Sequence, residues 1–277
     1  MKKTTTILCL GIALCMLGCS DDDDQVTTTS TVPFSLTASL SPRSSDAEDT
    51  GILQGNWDAN SQLAVIKTGS SGVPKSILTR KTDSSDTFTG NLSTLVKNEN
   101  EIAVFYPAAA ITANSSDTLT QTLNLSGQDG TLAGITNYDY LWAQCKAGMN
   151  ETTGSSACEM TSLVTIGKFQ FTVNGGSPLN NITRITITAT AGTLYSSAVM
   201  KLKNGEFSST QTGNITIKNK AGISGTTYIS FFPSEAQLHF TLVTTTGEVY
   251  EAATSTTIKL ELSLIHISEP TRQEAIS

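Results

Sequence analysis

The chain has 277 residues, with 17 Lys and Arg against 24 Asp and Glu, a formal net charge of −7 and a pI near 4.8. This balance argues against a nucleic-acid partner, since phosphate binding rests on clustered Lys and Arg and the chain has no basic cluster beyond Arg80-Lys81. With 2 His in the whole chain, there is little from which to build a metal centre or a catalytic triad.

Lys2 and Lys3 precede an apolar run from Ile7 to Leu17, followed by Gly18-Cys19-Ser20 and the aspartates Asp21 to Asp24. The run is shorter than the roughly 20 apolar residues of a permanent membrane helix and ends on small residues, as a cleaved secretory signal does. Met16-Leu17-Gly18-Cys19 resembles a lipobox. Residues 1–18 are therefore expected to be removed as a lipoprotein signal peptide, leaving Cys19 diacylated and N-terminal. Two or three acyl chains, each contributing about 0.8 kcal/mol per buried methylene, make a stable anchor. A plain secretory signal that happens to contain Cys is the alternative. Ser20 to Asp24 resembles the acidic tag that sends lipoproteins of one Gram-negative phylum to the outer leaflet of the outer membrane, or is simply the self-repelling start of a linker. An acidic run of this kind lacks the turn-shaped ligand set of a calcium loop. Residues 19–30 then form an acidic, Thr-rich tether.

Between residues 31 and 261, Thr alternates with Ile, Val, Leu and Phe in short segments separated by Gly, Asn, Asp and Ser. This is the pattern of half-buried β-strands. Strands are predicted at 32–40, 62–68, 75–81, 87–92, 101–106, 119–125 and 139–144, enough for one sandwich. A second series is predicted at 163–173, 182–190, 197–203, 214–219, 226–232, 238–244 and 248–252, with 257–260 starting a further strand. No stretch holds a helical period, so the fold class is all-β: antiparallel sandwiches at 31–162 and 163–261. Pro33 marks the first strand as an edge, because Pro cannot donate to a ladder.

Residues Leu262 to Arg272 read LSLIHISEPTR, the translation of DNA that resembles a transposase sequencing adapter. Residues 262–277 are set aside from fold reasoning as an adapter-derived artefact. On this reading native sequence ends near Glu261 and the second sandwich is truncated.

Cys9 and Cys15 leave with the signal, so Cys145 and Cys158 are the thiols left beside the lipidated Cys19. An even pair in an exported chain suggests a disulfide across the Gly- and Ser-rich loop between them, which would contribute about 3 kcal/mol; two buried free thiols are the alternative.

Several segments together resemble the fimbrillin family: the lipobox and acidic tag, a first strand leading into Pro42-Arg43-Ser44, Trp57-Asp58 feeding Leu63-Ala64-Val65-Ile66, Ala103-Val104-Phe105-Tyr106-Pro107, and Asp139-Tyr140-Leu141-Trp142-Ala143. The resemblance implies two transthyretin-like Greek-key sandwiches and a surface-exposed, lipid-anchored subunit, anchor or tip of a type V pilus with a role in adhesion. It implies cleavage by an Arg-specific protease after the first strand, at Arg43, and refilling of the vacated groove by a strand from another pilin subunit. It implies no cofactor. The alternative at Arg43 is an uncleaved, solvated loop arginine. A chain ending near Glu261 would lack part or all of its donor strand.

An enzyme is disfavoured. Once His266 is assigned to the adapter, His239 remains, and alternation in Leu238-His239-Phe240 turns it away from the apolar face. The other class is a monomeric glycan-binding surface lipoprotein, for which Trp57, Tyr138, Tyr140, Trp142 and Tyr195 would have to share an exposed face. Asp117-Thr118-Leu119 resembles a short O-glycosylation signal, a pattern too brief to assign a site.

Overall fold

The computed structural model describes residues 30–42, 51–69, 73–82, 86–112, 120–173, 176–261 and, as backbone, 264–271. Strands account for most of the described residues and helix for almost none. In the first half, β1 spans Thr31–Leu40, β2 Gln62–Lys67, β3 Ser76–Arg80, β4 Thr87–Ser93, β5 Glu101–Tyr106, β6 Thr120–Asn124, β7 Leu141–Lys146, β8 Gly148–Met149 and β9 Gly154–Ser162. The second half holds β10 Thr165–Val173, β11 Ser177–Pro178, β12 Ile182–Gly192, β13 Tyr195–Lys201, β14 Phe207–Thr212, β15 Ile215–Ile223, β16 Thr226–Phe231, β17 Ser234–Thr244, β18 Val249–Ala253, β19 Ile258–Leu260 and β20 Leu264–Thr271. The α-helix Leu132–Ile135 is a single turn, capped where Thr131 Oγ1 accepts from Gly134 N.

The first sheet runs β1-β4-β3-β2-β5-β7-β9-β8, and β1 also pairs with β9, so the sheet closes on itself. β1 lies antiparallel to β4 and parallel to β9. The expectation that β1 is an edge is thus corrected. Pro33 is tolerated because the parallel ladder to β9 begins one residue later, with Phe34 opposite Gly154; at Pro33 the strand has only β4, through Asn91, beside it.

β2 and β5 carry apolar runs rather than alternation because both of their faces are covered. Leu63 and Val65 of β2, with Ile102 and Val104 of β5, point into the ring, whereas Ala64, Ile66, Ala103 and Phe105 join a second cluster with Phe169, Phe171 and Phe232. One hydrophobic core therefore runs from the outside of the ring into the second half.

That second half packs the β10/β16 sheet against the sheet β15-β12-β17-β18. Phe169 lies 5.1 Å and Phe171 5.4 Å, ring centre to ring centre, from Phe240. Along β17, Ala236, Leu238, Phe240 and Leu242 are buried in alternation. His239 falls on the other face, its Nε2 3.7 Å from Glu251 on the neighbouring strand.

Three further segments differ from expectation. The strand predicted at 119–125 and grouped with the first series corresponds to β6, Thr120–Asn124, which pairs with β13 and so ties the halves together. The stretch between Cys145 and Cys158 is not a Gly- and Ser-rich loop. It folds back as β8 onto β9, with the Asn150 side chain accepting from the Thr152 and Thr153 backbone N–H groups to hold the turn. Residues 264–271, set aside as adapter-derived, form β20 parallel to β10; an open ladder edge on β10 accepts any strand with suitable backbone groups.

The joint between the halves is polar as well as apolar. Gln128, 1% exposed, donates through Nε2 to the Leu125 and Ser230 carbonyls and accepts from Ser230 N. Tyr140 stacks on Phe232 and its hydroxyl donates to the Asn124 carbonyl at 2.6 Å.

Burial, reinforced by the Asp139 charge, pushes the Tyr106 phenol from 10.0 up to about 12, and burial pushes Tyr140 to about 12. A raised phenol pKa favours the folded state as long as the ring is neutral, so this stability is complete below pH 10 and is lost as pH rises through 12. At about 1.4 kcal/mol per unit, each tyrosine is expected to take about 2–3 kcal/mol from the unfolding free energy over that window. Urea titrations at both ends of the window, alongside tyrosinate absorbance, check this.

Candidate functional site

The candidate site is the seat of β1. The sequence TVPFSLTASL alternates, and the fold uses the alternation: Phe34, Leu36 and Ala38 are at most 2% exposed and Val32 8%, while Thr31, Pro33, Thr37 and Ser39 face solvent. The inward row packs on Trp57, Phe88, Leu92, Leu141 and Met160. Burying side chains of the size of Val32, Phe34 and Leu36 contributes roughly 1.5–3 kcal/mol each. The two ladders satisfy both sides of the β1 backbone, from Thr31 opposite Ser93 through Thr37 opposite Thr87 on β4, and from Phe34 opposite Gly154 through Leu40 opposite Met160 on β9.

Side chains pin the C-terminal part of the strand. Trp57, 3% exposed, sits edge-on to Phe88 at 5.0 Å and to Tyr106 at 5.2 Å, and its Nε1 donates to the Ala38 carbonyl at 2.6 Å. Arg80 holds the Trp57 loop by donating to the Trp57 carbonyl. The backbone N–H of Ala38 donates to the Asp86 carbonyl at 2.9 Å, and beyond the strand the Ser41 hydroxyl donates to Glu159 on β9 at 2.9 Å. At the other end, a cavity of about 310 Å³ opens beside Val32, lined by Val96, Met149, Lys97 and Glu151 among others. Without β1, this seat would be an apolar trench walled by the unpaired edges of β4 and β9.

The proposed processing residue Arg43 follows Pro42 directly and lies outside the described residues, as do the lipidation residue Cys19, the aspartates Asp21 to Asp24 and the Asp117–Leu119 segment. Cys145 and Cys158 are brought together on β7 and β9 as free thiols. Trp57 and Tyr140 are buried, and Trp142 is turned onto Gly205, its Nε1 donating to the Leu202 carbonyl. A Cβ at Gly205, whose φ is +71°, would fall 2.7 Å from the Trp142 ring. Among the described residues no group of three or more His, Cys, Asp or Glu could hold a metal ion, and no helix is long and apolar enough to cross a membrane.

Sequence reasoning missed β9, the far wall of the seat. Its inward positions are Ser156, Cys158 and Met160 rather than β-branched residues, and Gly154-Ser155-Ser156 looks like a loop. The signal that could have found it is the alternation of Cys158 and Met160 with Glu159 and Thr161.

The sequence matches no protein-family model and no curated protein. Solved structures do match. A Bacteroides ovatus ATCC 8483 protein assigned to cell adhesion superposes with a TM-score of 0.55 at 15% identity, over 86% of this chain and 92% of its own. A second protein assigned to cell adhesion, from Bacteroides fragilis NCTC 9343, superposes with a TM-score of 0.52 at 10% identity, over 90% of this chain and 95% of its own. The chain shares its fold with these adhesion-assigned proteins.

Two substitutions test the seat. Leu36→Ala is expected to cost about 2–5 kcal/mol in urea unfolding, while Thr37→Ala next to it stays within about 0.5 kcal/mol. Trp57→Phe keeps most of the packing but loses the bond to Ala38, and is expected to cost about 1 kcal/mol.

Proposed function

We propose that this chain is a surface-exposed, lipid-anchored lipoprotein that serves as a structural or accessory subunit of a type V pilus, with a role in adhesion. In this reading Cys19 carries the lipid, residues 19–30 form the tether, the sandwiches span 31–162 and 163–261, and cleavage at Arg43 frees β1 so that a strand from another pilin subunit takes its seat. The partners are other pilin subunits, the outer-membrane lipid and a surface receptor or glycan.

One observation carries the reading: β1 closes the ring as a self-contained strand, paired on both sides, with its inward row buried and its C-terminal end leading directly to Arg43. Excision there would expose unpaired N–H and C=O groups on two rims and an apolar row between them, which an incoming strand satisfies by β-augmentation. The fold shared with adhesion-assigned proteins supports the same class of role. The glycan-binding monomer is less well supported, because Trp57 and Tyr140 offer no exposed ring.

Low doses of an Arg-specific protease on the folded, delipidated protein, followed by intact mass, test this. A single early cut after Arg43 is expected. A synthetic strand with the inward row of β1 should then displace the cleaved segment, and Arg43→Ala should abolish both events. Resistance at Arg43, or release of β1 with irrecoverable unfolding, would overturn the exchange mechanism.

A further inference from the structure

The thiol chemistry of Cys145 and Cys158 is not used by the function proposed above. β7 and β9 pair with Leu141 opposite Ser162 and Trp142 opposite Thr161, and β8 and β9 pair with Gly148 opposite Ser155. The same register carried between these two stretches sets Cys145 directly across from Cys158. Opposed residues of an antiparallel pair have Cβ atoms about 4.5–5.5 Å apart, close enough for small adjustments to join two sulfurs. Both side chains pack at the margin of the ring core and are only partly buried, and both are thiols. The Ser156 hydroxyl donates to Cys145 Sγ at 3.3 Å, while the Cys158 thiol donates to Met160 Sδ at 3.9 Å.

We propose that Cys145 and Cys158 are a redox-active pair, closed to a cross-strand disulfide by thiol–disulfide exchange with an external disulfide. The neighbouring Cys158 thiol and the Ser156 hydroxyl draw the Cys145 thiol below its usual range, whereas the Cys145 neighbour and burial hold the Cys158 thiol above it. Cys145, whose sulfur also accepts a hydrogen bond from the Ser156 hydroxyl that would stabilise its thiolate, is therefore the attacking sulfur. Its thiolate attacks one sulfur of the external disulfide, forming a mixed disulfide as that S–S bond breaks and one thiolate leaves. Cys158 then loses its proton and attacks Cys145 Sγ, forming the internal S–S bond and expelling the second thiolate. Two protein thiols are oxidised and one disulfide is reduced to two thiols.

The location gives the bond a consequence. Cys158 lies opposite Ala38 in the parallel ladder, so β9 is one wall of the β1 seat. Joining β9 to β7, which is itself held by β5, fixes that wall whether or not β1 is in place.

The test uses the whole reduced protein and oxidised glutathione under native conditions. Peptide mapping without reduction is expected to recover the segments containing Cys145 and Cys158 as one linked species, and the melting temperature is expected to rise by several degrees. The C158S variant, which keeps the Ser156 hydroxyl on Cys145 Sγ, should accumulate glutathione on Cys145, while C145S accumulates less on Cys158. Two results would overturn the proposal: both thiols remaining open to alkylation under conditions that oxidise the unfolded chain, or equal glutathione on the two single variants.

Discussion

The structure depends on a sheet that cannot close without its first strand. β2, β3 and β4 form a meander, and β5, β7 and β9 extend it the other way, which leaves β4 and β9 as two rims that never meet. Among the described residues β1 is the only strand between them. It must be antiparallel to one rim and parallel to the other, so the Phe34–Gly154 pairing joins residues 120 apart in sequence. Unpaired backbone groups on both rims would cost more than any single packing contact. The seal, rather than any polar cluster, therefore decides whether the first half is a closed core.

The second half is fastened to this ring by the same strands that line it. β2, β5 and β7 present one row inward and another outward, so a shift in the ring is felt at Phe169, Phe171 and Phe232. The segment Asp139-Tyr140-Leu141-Trp142-Ala143 works in both directions: Leu141 and Ala143 fill the ring, while Tyr140 and Trp142 reach the Asn124 and Leu202 carbonyls on the far side. Gln128 has both ends of its amide occupied, which suits a position where a half-satisfied polar group would be costly.

Much of the strand content was legible because half-buried strands advertise themselves by alternation, as in β1, β10 and β17. Neighbours were not legible in the same way. Pro33 pointed to an edge, but a single missing N–H constrains a strand only where a second ladder runs, and that ladder starts at Phe34. β9 and β14 were overlooked because Ser, Gly and Thr dominate them; β14 is an exposed edge strand with no apolar row to show. The unbroken runs in β2 and β5 did carry the information that both faces are covered, yet a short apolar run alone does not say what covers it. The candidate seat was visible as one strand, and its opposite wall was not. Arg43 and Cys19 rest on motif and position alone.

The double ladder around β1 also has a mechanical meaning. Tension applied along the axis of a strand paired on both sides loads its rungs in shear, so the rungs to Thr87 through Ser93 and to Gly154 through Met160 share the force instead of failing one by one. Tension applied across the strand would instead unzip it from an end, rung after rung. Because both ladders run lengthwise, the seat of β1 grips hardest against an axial pull and yields most readily to peeling from a free end, so a chain break beyond Leu40 changes how easily the strand can leave far more than it changes the contacts that hold it.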